Sequence, residues 1–271
     1  MQKLSNIIEQ IEQNKDEMEF LPTGFASLDQ HLDGGFLRKE LVVLGGGTGK
    51  GKSYLAGQIL WNIAQKGFKT AYFSLEISNS MVVSRLLGSL ANIKPTKLML
   101  GLIDAVELEK KIEAKARLST REEYMYFYDD VYKLEEIKAE IKNNKYEFVV
   151  VDFIQNILSP GSDEYSRLSY AALELQKLAK ESNSCLLVLS QLSNMVSREG
   201  SKEGIIEYKG SGNIATVCDL GFFLERTPPF DSSSNFNDLK LYLQKNRRGF
   251  SNNYFDFTFQ YPGGWISEKN L

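Results

Sequence analysis

The chain has 271 residues, 42% hydrophobic and 25% charged, with a formal net charge of −3. That balance excludes a disordered or fibrous chain, argues against a surface coated in nucleic acid while leaving room for a local basic channel, and allows one α/β core or two small ones at most. Two cysteines, Cys185 and Cys218, and one histidine, His31, exclude a disulfide framework and a cysteine-rich zinc site and argue against a His-based metal centre or a Ser-His-Asp triad.

Residues 1–20 stand apart from residues 21–271. Leu4, Ile7, Ile8 and Ile11 fall at i, i+3, i+4 and i+7 and make one apolar stripe on a helix whose other face is Glu, Gln, Asn and Lys. Such a helix either packs on its own domain or needs a groove elsewhere. The segment turns acidic where a secretory signal would need an apolar stretch, and no apolar run approaches the roughly twenty residues that span a bilayer, so a cytoplasmic protein is expected.

From Glu40 onward strand and helix alternate. ELVVLGG reads as a buried strand, Ser53–Lys66 as a helix ended by Gly67, and Thr70–Leu75 as the next strand. Helices are predicted over Met81–Leu90, Ala105–Leu118, Leu134–Ile141 and Leu168–Ser182, with strands at Tyr124–Tyr128, Phe148–Val151 and Cys185–Leu189. This alternation predicts a mostly parallel central sheet flanked by helices. Asp219–Glu225, Leu239–Gln244 and Asn253–Gln260 have no helices between them, and Phe255, Phe257 and Phe259 alternate with polar neighbours, so an antiparallel C-terminal extension is expected. Ser159–Ser166 and Ser193–Gly212 read as loops, the second long enough to be either functional or disordered.

The strongest chemical signal is Gly46, Gly47, Thr48, Gly49, Lys50, Gly51, Lys52 and Ser53, which fits G-x-x-x-x-G-K-[ST] between a strand and a helix. Its glycines let backbone N–H groups turn onto phosphates, and the helix N-terminus adds partial positive charge. Lys52 is expected on the β and γ phosphates of ATP and the Ser53 hydroxyl on Mg²⁺. A Gly-rich turn with a chance Lys-Ser is the competing reading.

Asp152 follows the strand FVVV at the sheet edge where ligands bind in open α/β sheets, and is the candidate carboxylate for the Mg²⁺ shell. Glu76 ends its strand in the same way and is a candidate general base for water, or else caps the next helix. Gln191 ends another strand and is either a γ-phosphate sensor or a polar loop residue. Lys245, Arg247 and Arg248 cluster at a hairpin turn; a planar guanidinium suits charge growing on a transferring phosphoryl group, whereas the bland reading is a solvated, aggregation-protecting turn.

Together LPTGFASLDQHLDGGF at Leu21–Phe36, the glycine loop, FSLEIS at Phe73–Ser78, VVVDFIQNI at Val149–Ile157, LSQLS at Leu189–Ser193 and QKNRRG at Gln244–Gly249 resemble, in order, the RecA-like motor domain of DnaB-type replicative helicases. The resemblance covers nearly the whole chain. It implies ATP hydrolysis at subunit interfaces of a homo-hexameric ring around single-stranded DNA, with Lys52 and Ser53 on nucleotide and metal, Glu76 in catalysis, Asp152 on metal and Gln191 sensing the γ-phosphate. Lys245 and Arg247 match the family's K-x-R pair, which reaches the neighbouring subunit's ATP as sensor and arginine finger.

The family's DNA-contacting loop maps onto Tyr208–Asn213, with Lys209, Gly210 and Gly212 as the contacts. Lys209 and Gly210 replace the usual Arg and Glu, which predicts weakened DNA affinity; a flexible surface loop is the alternative. Only a helix precedes the motor here, in the place of the family's linker helix that docks on the adjacent subunit, so a collarless helicase is expected, with a primase or a loader protein as partner. Two rivals stand beside this reading. One is a RecA-like ATPase of recombinase or regulatory type that binds DNA or protein without unwinding, and the other is a nucleotide-gated assembly scaffold.

Overall fold

The computed structural model describes residues 3–13, 19–191, 212–226 and 236–269. Short apolar runs without charge form Leu41–Gly46 (β3), Thr70–Ser74 (β4), Phe148–Asp152 (β6) and Cys185–Gln191 (β7), buried at nearly every position because both sheet faces are covered. With Met125–Tyr128 (β5), Leu220–Arg226 (β8), Phe236–Asn246 (β9), Asn253–Gln260 (β10) and Trp265–Glu268 (β11) they make one nine-stranded sheet among the described residues, in the order β11-β10-β9-β8-β3-β7-β6-β4-β5. Phe20–Leu21 (β1) pairs antiparallel with Phe36–Leu37 (β2) in a separate small sheet.

Pleating sends alternate residues to opposite faces. Val42, Leu44, Val150 and Leu187 pack with Leu55, Ile59 and Ile63 of the helix Lys52–Gln65 (α3) and with the aromatics of the C-terminal strands. On the other face Val43, Val149 and Val188 meet Ile137 and Ile141 of Leu134–Asn144 (α7) and Leu168, Leu175 and Leu178 of Glu164–Ser182 (α8). Ile93 and Leu98 form a satellite core under Asn79–Ala91 (α4), Pro95–Leu100 (α5) and Ala105–Ser119 (α6).

The predicted alternation holds from β3 to β7, and three expectations are corrected. The strand expected at Asp219–Glu225 starts the C-terminal third but is not antiparallel to the core: β8 runs parallel to β3, Val42 opposite Leu220, and the antiparallel part begins at β9. A parallel return needs a crossover of a dozen or more residues, and the chain between Gln191 and Leu220 supplies it, including a short helix, Gly212–Val217 (α9). The loop expected over Ser159–Ser166 is shorter, because Asp163 accepts the Ser166 N–H (2.8 Å) and starts α8 at Glu164. Lys245 lies inside β9 rather than at the turn.

Some elements have no local signature. The six-residue helix Ala26–His31 (α2) has no side-chain cap from its own N-cap residue, Phe25. Its first N–H groups, from Ala26 and Ser27, donate instead to the Glu268 carboxylate at the end of β11 (2.9 and 2.7 Å). Beside it the buried Gln58 side chain of α3 holds Ile266 of β11 by both backbone groups (2.6 and 2.8 Å). The helix Leu4–Gln13 (α1) forms as the sequence predicts, with Leu4 and Ile8 exposed.

Candidate nucleotide-binding site

The C-terminal ends of β3, β4, β6 and β7 converge on a cleft of about 380 Å³. The chain leaves β3 at Gly46 and enters α3 at Lys52 through two left-handed glycines, Gly49 (φ 74°) and Gly51 (φ 99°), which side chains would strain. Gly46 is required for a different reason: a Cβ there would lie 2.8 Å from the Leu224 carbonyl oxygen of β8. The loop is thus pressed against the neighbouring strand, and Lys50 Nζ ties its rim to the Arg226 carbonyl (3.2 Å).

Lys52 is only 8% exposed and donates to the carbonyls of Gly46 (2.8 Å) and Gly47 (3.0 Å). Burial lowers its pKa, and the charges of Asp152 and Glu76 across the cleft oppose that fall. An ammonium so placed could exchange its loop carbonyls for phosphate oxygens.

Asp152, 2% exposed, ends β6 in register with Ser74. The Tyr72 hydroxyl donates to its Oδ2 (2.6 Å) and also lies against the Ser53 hydroxyl; burial and the Asp152 charge push Tyr72 well above the usual phenol range, so it stays a donor. Ser53, Tyr72 and Asp152 therefore form one contiguous group beside the loop. A carboxylate and a hydroxyl next to a phosphate cradle fit Mg²⁺, which takes few protein ligands and fills its remaining positions with water and phosphate. Glu76 lines the same cleft just past β4, where the Leu75 N–H donates to the Asp152 carbonyl (2.8 Å). Gln191 lines it from the end of β7, and its backbone is pinned by Gln155, which donates to the Gln191 carbonyl (3.1 Å) and accepts from its N–H (3.3 Å).

The sequence reading missed the opposite wall. Arg85 of α4 stands over the Tyr54 ring (5.3 Å to its centroid), and Arg226 stands over Phe259 (4.7 Å) and Tyr261 (5.3 Å). Neither the place of Arg85 within α4 nor the C-terminal aromatics carry a sequence signal for this wall.

The DnaB-like helicase C terminal domain family matches residues 21–261. The chain belongs to this family. It is 29% identical over 253 residues to replicative DNA helicase DnaB of Treponema pallidum, covering 91% of this chain and 56% of that protein. It is 30% identical over 254 residues to replicative DNA helicase DnaC of Bacillus subtilis, covering 89% of this chain and 55% of the other. The chain thus spans about half the length of these curated relatives. Among solved structures, one ATPase domain superposes with TM-score 0.84 at 21% identity, covering 98% of this chain and 97% of that one. A DnaB-like replicative helicase studied with primase gives 0.84 at 18%, covering 100% and 68%. A KaiC-like protein of Pyrococcus horikoshii gives 0.63 at 16%, covering 93% and 100%. The DnaB-like domain has the RecA-like fold expected from its motifs.

Two predicted residues of this DnaB-like domain lie far from the cleft. Lys245 Nζ donates to the carbonyls of Ala215 and Thr216 at the end of α9 (2.7 Å each), and Arg247 donates to Asp219 Oδ1 (2.8 Å) and the Thr216 carbonyl (3.0 Å). Asp219 is bonded to Leu41, at the opposite end of the six-residue β3 from the glycine loop, a distance on the order of 17 Å. The idea of a merely solvated basic turn is corrected by Arg248. Its guanidinium donates to the Leu32 and Gly35 carbonyls (2.9 Å each) and pairs with Glu40 (2.8 Å), fastening the turn to α2 and β2. Of the candidate DNA contacts, Gly212 opens α9, while Lys209 and Gly210 lie outside the described residues.

Proposed function

We propose that this domain binds Mg²⁺-ATP in the cleft, hydrolyses it where copies meet in a ring, and uses the cycle to move along single-stranded DNA and separate duplexes. The supporting observation is the convergence of Lys52, Ser53, Glu76, Asp152 and Gln191 on one edge of the sheet while Arg247 sits exposed at the other. Arg247 cannot reach its own nucleotide; head-to-tail packing of copies brings it to the next one.

In this reading Lys52 binds the β and γ phosphates, Glu76 orients a water and takes its proton, and the water oxygen bonds to the γ-phosphorus as the bond to the bridging oxygen breaks, releasing ADP and phosphate. Ser53 and Asp152 would hold Mg²⁺, which supplies charge neutralisation for the phosphate oxygens. Gln191 senses the γ-phosphate, and Lys245 and Arg247 of the adjacent copy stabilise its developing charge. Lys209, Gly210 and Gly212 remain the proposed DNA contacts, a primase or a loader protein the proposed partner, and the cytoplasm the proposed compartment. No helix among the described residues is long and apolar enough to cross a membrane.

Unwinding of a forked duplex with ATP is the deciding test. ATP-dependent strand release is expected; single-stranded DNA binding and hydrolysis without release would move the assignment to a non-unwinding RecA-like ATPase.

Ring closure is proposed to use α1 as a linker helix. Leu4 is 73% and Ile8 46% exposed, and Leu100, Leu102, Val106 and Ile112 of the α5–α6 region are also exposed, which offers a second copy an apolar surface. Deleting Met1–Glu19 is expected to shift the assembly from ring to monomer in light scattering with the melting temperature nearly unchanged. An own-domain role for α1 would instead show as a lower melting temperature in an intact ring.

A further inference from the structure

Arg247 is not a loose surface arginine. Its backbone N–H donates to the Asp219 carbonyl (3.0 Å), and its guanidinium to Asp219 Oδ1 (2.8 Å) and the Thr216 carbonyl (3.0 Å), while the side chain stays 45% exposed. Asp219 is 14% exposed and equally fixed on its other side: its N–H donates to the Leu41 carbonyl (2.8 Å) and its Oδ2 accepts the Leu41 N–H (2.9 Å). One carboxylate therefore joins the first residue of β3 to the arginine.

The strand register contributes to this arrangement. Phe222 pairs with Leu243 and Gly221 with Lys245, so Gln244 is an extra residue in β9. A bulge resets the alternation of the residues beyond it, and here Lys245 and Arg247 both reach the end of α9.

We infer that Asp219 is a positioning residue for hydrolysis on the neighbouring copy, acting through Arg247 of its own copy; this rests on the proposed trans role of Arg247. A guanidinium has rotamer entropy to lose and a fork that must meet phosphoryl oxygens in one orientation. Asp219 occupies one NH group and the backbone of Arg247, which limits its rotamers before a nucleotide arrives. Misplacement of such a group by about 1 Å costs on the order of 10²-fold in rate. Neither the glycine loop nor the carboxylates of the cleft touch Asp219, so nucleotide binding is independent of it.

The test is Asp219→Asn in the full chain, which keeps an acceptor for the Leu41 N–H but removes the ion pair. We expect kcat to fall at least tenfold with KM and fluorescent-nucleotide affinity within about twofold of the parent, and Asp219→Glu to recover part of the rate. Subunit mixing identifies the pathway. Asp219→Asn mixed with Lys52→Ala should regain hydrolysis, because hybrid interfaces pair an intact cleft with an intact arginine. Mixed with Arg247→Ala it should regain none, since both variants are defective on the same side of the interface.

The reverse pattern, or loss of nucleotide affinity in Asp219→Asn alone, would show that Asp219 serves its own cleft through β3 and overturn the inference. A rise in kcat would also overturn it, by showing that the carboxylate withholds the arginine. Failure of Arg247→Ala and Lys52→Ala to complement each other would instead remove the trans role itself. Complementation of that control pair with unchanged kcat in Asp219→Asn would remove only Asp219.

Discussion

Glu76→Gln is expected to bind ATP with near-parental affinity and to hydrolyse it 10²- to 10⁴-fold more slowly. The amide keeps the size and hydrogen-bonding capacity of the side chain but cannot take a proton from water, so the loss falls on the transition state and appears in kcat. Lys52→Ala is expected to act one step earlier. Its ammonium, buried against the Gly46 and Gly47 carbonyls, is proposed to meet the phosphates in the ground state, and its removal should then abolish binding in a fluorescent-nucleotide titration. The two variants therefore divide the cleft into a part that holds the nucleotide and a part that acts on it. Near-parental turnover by Glu76→Gln would strip that residue of the base role and leave Asp152 as the only other carboxylate among the described residues that line the cleft.

The second large effect concerns Arg247→Ala, for which a fall of 10³- to 10⁵-fold in kcat is expected with ATP binding retained, the range over which an arginine finger acts in phosphoryl transfer. Because the arginine stands at the far end of β3 from its own glycine loop, the parental rate should also depend on protein concentration. Dilution below the assembly threshold should reduce specific activity to about the level of the variant, while a dilute variant should lose little more. Full activity of a demonstrably monomeric parental sample would refute the trans arrangement.

How much of this was legible before folding depends on how far each signal travels along the chain. The glycine loop was readable because strand, turn and helix are contiguous, and Asp152, Glu76 and Gln191 because each ends an apolar run that the alternating pattern places at one sheet edge. The wall formed by Arg85, Arg226 and Tyr261 was not, since its residues come from a helix, a core strand and a C-terminal turn that meet only in the folded molecule. The parallel direction of β8 was hidden for a related reason: pairing direction is set by where the crossover lands, and residues 192–219 have no periodicity to announce it. Arg247 and Arg248 look alike in sequence, yet one faces solvent and Asp219 while the other is fixed to Glu40 and two carbonyls. Composition assigns both to a basic turn, and only the packing of α2 beneath them separates their roles.

The carboxylate that caps α2 has a consequence for how the chain is made. Glu268 lies 242 residues after Ala26, and Ile266 lies 208 after Gln58, so the opening turn of one early helix and a buried amide of the next find their partners only in β11. A chain emerging N-terminus first cannot complete either contact until β11 has been synthesised. Until then the Gln58 amide and the Ala26 and Ser27 N–H groups must stay hydrated, which keeps the α2–α3 flank open to water until that strand is made. Arrival of β11 closes that flank, and a ribosome-stalled chain ending at Gln260 should be digested by protease in residues 20–66, whereas the released full-length protein should resist.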